Sequence, residues 1–318
     1  MANKRSDAGD GLERLFASLD DAPAGLHDVE PAASALPSGL PPALIELYAN
    51  CDGLRLYLDS VELVPANQVT MPAPARWQFG EIEGDALAID HRGAIWRADP
   101  SLDDDVREGT RLDRWLAGVV DATGMLYDAD GEFADEVVDE DGEVLPKIRE
   151  RQLRAQLKRD PAAPGPRWRL AHALLEQGMQ ENARNELEQV VADDPAFAWA
   201  WLDLARISDK LGDLANAIDE ARMAAETAET VQHAQAGYFW AQLARFAARS
   251  GDDVTRAQAA TKASLLAPTL RQAQLAGARD SLASGDLVSA NGLLELLRAV
   301  WPRDLEVLEL AQRISCSN

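Results

Sequence analysis

Small and apolar residues recur at a fixed interval in the second half of the chain. The interval is 34 residues, and glycine, proline, alanine and leucine positions all follow it. A period of roughly 20–50 residues indicates stacked copies of one supersecondary unit. The pairs at this interval are Pro161 and Pro195, Leu170 and Leu204, Ala171 and Ala205, Gly178 and Gly212, Ala183 and Ala217, Gly251 and Gly285, and Pro268 and Pro302.

Each period has the pattern of two antiparallel helices, A and B. Alanine lets the two helices approach closely, glycine permits the turn between them, and proline ends helix B. In the second period, helix A carries Trp201, Leu204 and Ala205, Gly212 marks the turn, and helix B carries Ala217, Ala221 and Ala224. The pattern predicts hairpins at 164–195, 198–229, 237–268 and 271–302, and a single amphipathic helix at 305–314 that covers the last hairpin.

These repeats resemble the tetratricopeptide (TPR) family over about 155 residues. The resemblance implies an all-α solenoid whose concave groove binds another protein. Between Gly212 and Gly251 the period is longer, and the extra residues fall near 227–235, which predicts a longer loop between repeats.

The N-terminal half has a different pattern, in which short alternating runs dominate. Helices are predicted at 12–19, 42–50 and 110–123, with a Pro-, Ala- and Gly-rich stretch at 21–42 between the first two. Turns are predicted at Asp52-Gly53 and at His91-Arg92-Gly93. Strands are predicted at 54–58, 61–64, 77–82, 86–90 and 94–97. This order predicts an α+β domain with an antiparallel sheet.

That order of elements resembles the SUKH superfamily over about 95 residues. The residues that carry the resemblance are Leu36-Pro37, the run 47–53, the run 77–80, the run 85–90 followed by Gly93, and Trp115-Leu116. The family's consecutive glycines after the first helix are reduced here to Gly53. The resemblance implies a protein-binding module, and many bacterial members look like immunity proteins that neutralise a toxin. A regulatory adaptor is the alternative.

Four segments follow from these patterns. They are an N-terminal helix and linker at 1–34, the SUKH-like domain at 35–145, a connecting helix or linker at 146–163, and the TPR solenoid at 164–318.

The charge narrows the range of partners. The net charge is −23, so the chain repels a phosphate backbone, which argues against general nucleic-acid binding. No apolar stretch approaches the roughly 20 residues of a membrane span, and no signal peptide is visible. The two cysteines, Cys51 and Cys316, form no disulfide framework. We therefore expect a cytoplasmic protein without membrane contact.

The segment from Asp99 to Glu143 holds sixteen acidic and three basic residues. It is either a negative partner surface or a solvated face. Two Asp-x-Asp-Gly runs, at 128–131 and 139–142, suggest calcium loops. Neither has acidic residues at the first and last positions of an EF-hand loop, so we predict two Asp-Gly turns between short strands and no metal.

Catalytic motifs are missing from the sequence. The four histidines are scattered, no nucleotide-binding or nucleophile-elbow motif is present, and Cys51 is predicted to be a buried structural thiol. We therefore expect no enzyme activity and no cofactor. The alternative is an enzyme, or an enzyme subunit, with a dispersed site in the N-terminal domain. Convergent His, Cys or carboxylate groups in a deep pocket would favour that alternative.

The candidate binding site is a ladder of basic residues on helix A of the repeats. With the turn glycine numbered 15, position 9 is basic in every repeat, and positions 6 and 13 add further cations. In TPR proteins these positions face the concave groove. The position-9 residues are His172, Arg206, Arg245, Arg279 and Arg313; the added residues are Arg169, Lys210 and Arg249.

Arginine suits carboxylates, because it donates two parallel hydrogen bonds to them. The ladder therefore predicts that the groove binds an acidic extended segment or a C-terminal carboxylate of another protein. The acidic segment 99–143 of this chain is a second candidate occupant. The asparagines that TPR carboxylate clamps use are absent from this groove. The alternative interpretation is that arginine is tolerated at a solvated groove position, where it pairs with Asp203 or Asp209.

Overall fold

A computed structural model describes residues 9–20, 22–23, 25–73 and 75–317. Residues 1–8, which belong to the predicted segment 1–34, lie outside the described residues. The chain consists of two compact units, Met1–Glu186 and Leu187–Asn318. The fold class is an α+β unit with an antiparallel sheet, followed by an all-α array of TPR-type helical hairpins.

The first unit is built on an antiparallel sheet. Its strands are β1 His27–Val29, β2 Leu54–Leu56, β3 Val61–Leu63, β4 Thr70–Ala73, β5 Arg76–Ile82, β6 Asp85–Asp90, β7 Ile95–Asp99 and β8 Asp104–Gly109. The order is β1-β2-β3-β5-β6-β7-β8, and β4 also pairs with β5. The helices of this unit are α1 Gly9–Asp20, α2 Pro42–Tyr48, α3 Leu112–Thr123, α4 Pro146–Arg159 and α5 Pro164–Glu176.

Helices α1, α2 and α3 bury their apolar faces with the sheet in one core. The largest fully buried side chains of that core include Tyr48, Phe79, Leu87 and Ile89. Gly80 of β5 is required by close packing, because a Cβ atom there would lie 2.2 Å from the Glu62 carbonyl oxygen. The five predicted strands are all present, whereas β1, β4 and β8 were not predicted because their sequences lack a clear apolar alternation.

The acidic segment 99–143 is largely part of this folded unit. Its β8 pairs with β7, and its α3 buries Trp115 and Leu116 in the core. To occupy the groove as an extended segment, its first half would have to leave these folded elements. Asp128 and Asp139 each accept hydrogen bonds from two backbone amides of their own turns, so the Asp-Gly turns are confirmed. The short strands predicted beside these turns are wrong, because in this described part of the chain only single bridges flank them, Tyr127 with Phe133 and Val138 with Val144. No group of three or more His, Cys, Asp or Glu suited to a metal occurs among the described residues.

Helix α5 packs on β8 and α4 within the same unit. Gly165 lies so close to β8 that a Cβ atom there would be 2.7 Å from Glu108 Oε1. Asp160, which is 2% exposed, accepts hydrogen bonds from the Thr110 amide and hydroxyl, both at 2.6 Å. These contacts join the first repeat helix to the sheet unit.

The hairpin array continues through the second unit. Its helices are α6 Gln180–Asp193, which spans the boundary between the units, α7 Ala198–Lys210, α8 Leu214–Thr230, α9 Ala236–Ser250, α10 Asp253–Leu266, α11 Leu270–Ser284, α12 Leu287–Val300 and α13 Leu305–Ser317. Each predicted hairpin and the final helix begin within one residue of their predicted starts. The predicted domain limits stay a prediction.

Three hairpin turns share the same local structure, a left-handed glycine followed by an aspartate that caps the next helix. Gly212, Gly251 and Gly285 have φ of 83°, 78° and 82°, a left-handed conformation that glycine adopts without a steric cost. The aspartate after each glycine caps the next helix: its carboxylate accepts a hydrogen bond from the backbone amide three residues later. Helix α13 buries Val307, Leu310 and Ile314 in a core shared with α11 and α12, which confirms its capping role.

No described helix is both long and apolar enough to cross a membrane.

Candidate functional site

Helices α7 and α9 present matching polar stripes in the second unit. On α7 the stripe contains Trp199, Asp203 and Arg206, and on α9 it contains Tyr238, Gln242 and Arg245. Residues spaced by three or four lie on one face of a helix. The ring centroids of Trp199 and Tyr238 are 5.9 Å apart, and Arg206 Nη2 donates to the Tyr238 hydroxyl at 3.4 Å, so the two stripes adjoin.

Most arginines of the predicted ladder are paired within the chain. Arg206 Nη1 donates to Asp203 Oδ1 at 2.8 Å, and Asp203 is 4% exposed. Burial opposes the charged form of Arg206, but Asp203 and Tyr238 together raise its pKa. Arg249 donates to Asp209, and Arg279 Nη2 donates to Glu306 Oε2 at 2.6 Å. These arginines are paired with carboxylates of the chain itself, which is the alternative interpretation of the ladder given by the sequence.

The two ladder residues of the first repeat lie in the other compact unit. Arg169 donates through both terminal nitrogens to the carboxylate of Glu108 on β8. His172 packs edge-on against Trp168, with ring centroids 4.5 Å apart. Arg169 is therefore committed to the sheet of its own unit, and its proposed groove role would require breaking this ion pair.

Two further ladder cations of the array are exposed. Lys210 ends α7 and forms no ion pair with a described carboxylate. Arg313 lies on α13 beside a shallow cavity that Leu282 and Cys316 also line.

Arg245 differs from every paired arginine of the ladder. It is partly buried, its guanidinium lies 4.8 Å from the centroid of the Phe246 ring, and no described carboxylate forms an ion pair with it. Burial lowers its pKa below the usual arginine value, and the positive charge of Arg206 lowers it further. An anion placed beside Arg245 would stabilise its charged form and so offset both causes of the lowered pKa.

Three polar atoms of this region are buried without a hydrogen-bond partner among the described residues. They are Asp209 Oδ1, Gln242 Oε1 and Arg245 Nε. Leaving a buried donor or acceptor unsatisfied costs about 1–3 kcal/mol, so such atoms require an explanation. A bound ligand that supplies an acceptor to Arg245 and a donor to Gln242 would satisfy two of them. We name Trp199, Arg206, Tyr238, Gln242 and Arg245 the α7–α9 groove.

The sequence identified Arg206 and Arg245, but it did not identify Trp199, Tyr238 or Gln242 as groove residues. The sequence contains a signal for the two aromatic residues: Trp199 and Tyr238 each precede a ladder arginine by seven residues, which places them on the same helix face.

The first unit has a cavity of about 440 Å³ between the sheet and α3 and α4. Three carboxylates line it, and each is paired with an arginine: Glu83 with Arg97 at 3.0 Å, Glu108 with Arg169, and Glu143 with Arg149 at 3.7 Å. Neither His nor Cys is among its described lining residues. All three carboxylates are in ion pairs with guanidinium groups, an arrangement that favours structure over acid–base chemistry.

No protein-family model matches the chain, and no curated protein matches it. Among solved structures, MamA is 17% identical over 54% of this chain and 91% of its own, with a TM-score of 0.36. PilF from Pseudomonas aeruginosa is 17% identical over 63% and 80%, with a TM-score of 0.37. YrrB, a TPR protein with an unusual peptide-binding site, is 15% identical over 52% and 84%, with a TM-score of 0.34.

Proposed function

We propose that this chain is a protein-binding scaffold whose α7–α9 groove holds an acidic group of a partner protein. The observation that carries the proposal is Arg245, a partly buried arginine with an unsatisfied Nε and no described carboxylate partner. A charge-assisted hydrogen bond from a partner carboxylate would satisfy it. Trp199 and Tyr238, which begin the two stripes, place aromatic rings 5.9 Å apart in the same groove.

The pairing of the other arginines refines the predicted ladder. Arg206 and Arg249 already contact carboxylates, so an incoming acidic segment would compete with Asp203 and Asp209 for them. One carboxylate at Arg245, such as an acidic side chain or a chain terminus, meets no such competition. The proposal is therefore a single anchoring carboxylate, with the other cations contributing long-range attraction that salt screens.

The test compares Arg245→Gln with Lys210→Gln, which removes the same charge from an exposed position. The parent chain is used to capture its partner from native lysate, and binding of the purified partner is then measured calorimetrically. Arg245→Gln should weaken binding by about 1.5–3 kcal/mol, the contribution of a hydrogen bond to a charged group. Lys210→Gln should change binding by less than about 1 kcal/mol.

Equal affinity of the parent and Arg245→Gln would show that the partner binds elsewhere. Folding of the variant is checked by thermal unfolding. We expect its stability to equal or exceed that of the parent, because the substitution removes a buried charge that lacks a counter-charge.

We further propose that the first unit is a SUKH-like partner-binding module in a cytoplasmic protein. Helix α2 followed by Gly53 and an antiparallel sheet supports this; Gly53 has φ of 106°, and a Cβ atom there would lie 3.1 Å from the Leu63 carbonyl oxygen. Toxin immunity is the specific form of the proposal, and a regulatory adaptor is the alternative. Co-expression with the captured partner separates them, since an immunity protein relieves the partner's toxicity.

A further inference from the structure

Helix α4 concentrates positive charge in a chain that is otherwise strongly acidic. Its fourteen residues include six of the 31 Lys and Arg residues and only one of the 54 acidic residues. The helix lies within the first unit and buries Leu153 and Leu157. Its apolar face is therefore used for folding, and the question is what its cations do.

The cations of α4 fall into two groups. Arg149 and Arg159 contact acidic residues of the same unit: Arg149 lies 3.7 Å from Glu143, and Arg159 donates to Asp121 at 2.5 and 3.1 Å. The second group is Lys147, Arg151, Arg154 and Lys158, all exposed. Spacings of four, three and four residues place them along one line on the helix, about 16 Å long at 1.5 Å per residue. We name these four residues the α4 basic stripe.

The stripe is poorly neutralised by its surroundings. Arg154 contacts Glu150 at 2.9 Å, and Glu186 lies 3.9 Å from it. Lys147, Arg151 and Lys158 form no ion pair with a described carboxylate. Three of the four cations of the stripe are thus uncompensated by an ion pair, and they lie on one helix of a chain with 54 acidic residues.

Local helix energetics does not account for the stripe. Lys158, in the last turn, interacts favourably with the helix dipole, but Lys147, in the first turn, opposes it, and that turn has no acidic residue. Lys147 with Arg151, and Arg154 with Lys158, are like charges four residues apart, an arrangement that destabilises a helix. Positions that break a local rule without an evident folding gain are where functional sites are expected.

We propose that the α4 basic stripe is a docking surface for an acidic segment of another protein, separate from the α7–α9 groove. Charge complementarity identifies the occupant: a segment with three or more carboxylates spread over the length of the stripe. A nucleic acid is disfavoured, because its charge extends far beyond the stripe and meets a chain of net charge −23. A short acidic segment contacts the stripe alone.

The test measures binding of a fluorescein-labelled oligoglutamate peptide to the full chain by fluorescence anisotropy at low and high salt. The test variant is Lys147→Gln, Arg151→Gln and Lys158→Gln combined. The matched control combines Arg92→Gln, Arg298→Gln and Arg303→Gln, three exposed arginines outside α4, so both variants have the same net charge. Arg245→Gln forms a third arm.

We expect the parent to bind the peptide at low salt and to release it as salt rises. The stripe variant should bind about tenfold more weakly, since three ion pairs are lost, and the control should change less than about twofold. No binding by the parent, an equal loss in both triple variants, or a loss confined to Arg245→Gln would overturn the proposal. Tighter binding of a duplex DNA probe than of the peptide would replace it with a nucleic-acid site.

Discussion

Arg169 and Glu108 form a two-pronged ion pair between helix α5 and strand β8, although 61 residues separate them in sequence. Glu108 is 4% exposed, and Arg107 and Glu108 leave no room for a side chain at Gly165. A residue that the repeat pattern assigns to a ligand groove therefore anchors the first repeat helix to the sheet.

Breaking this pair should destabilise the chain strongly. Arg169→Met leaves the buried Glu108 carboxylate without its counter-charge. Breaking a fully buried pair in this way lowers the free energy of unfolding by about 3–5 kcal/mol. Because Arg169 is partly exposed, we expect a loss near the lower end of that range. Urea unfolding measures the change. The double variant Glu108→Gln, Arg169→Met should recover part of the loss. Arg154→Met, at an exposed pair, should cost less than about 1 kcal/mol, and a comparable loss there would contradict the interpretation.

The alanines between helices A and B should tolerate no larger side chain. Ala205 and Ala217 are both fully buried. Ala205→Leu or Ala217→Leu should each lower the free energy of unfolding by about 1–3 kcal/mol through overpacking. Ala215→Leu, at an exposed position of the same helix as Ala217, is the control and should have little effect. Unchanged thermal stability in both buried variants would show that the helices separate more than the structure indicates.

Acid should weaken the junction between α11 and α13. Arg271 donates to Asp304 at 2.7 and 2.8 Å, and this bond lowers the pKa of Asp304; Arg279, followed by Arg271, lowers that of Glu306. A carboxyl group whose pKa is lower in the folded state stabilises the fold above its ordinary pKa. That stabilisation is lost as the pH falls through the lowered value.

The difference in unfolding free energy between the parent and Arg271→Gln should therefore be largest near neutral pH and should shrink below about pH 4. Arg298→Gln, an exposed cation on α12, should show no such pH dependence. A difference for Arg271→Gln that stays constant between neutral and acid pH would argue against these ion pairs.

The two thiols should react very differently with a thiol reagent. Cys51 is fully buried, and burial raises its pKa to about 11, so little thiolate forms at pH 8. Cys316 is exposed. A native sample should release one equivalent of chromophore rapidly, and a denatured sample two. Rapid reaction of both thiols in the native state would contradict the burial of Cys51, and Cys316→Ser identifies which thiol reacts.

The sequence by itself determined the hairpin array. The repeated glycine turns, the aspartate caps and the buried alanines are local features, and each acts within one or two adjacent helices. The repeated turn residues therefore placed the helix starts to within one residue. The longer interval between Gly212 and Gly251 predicted a longer loop, but α8 extends to Thr230 and takes up part of it. The five apolar strands were also predictable from the sequence, because alternating apolar and polar residues indicate a strand with one buried face.

Only the tertiary structure decided which cations are available for a partner. The pairs Glu108–Arg169 and Asp209–Arg249 join residues far apart in sequence, and side-chain spacing within one helix contains no information on them. Strand β8 likewise depends on its neighbour: its acidic sequence lacks a strand pattern, and pairing with β7 stabilises it. The same positive charge is thus structural at Arg169 and uncompensated at Arg245, because a carboxylate from another element reaches one guanidinium and not the other.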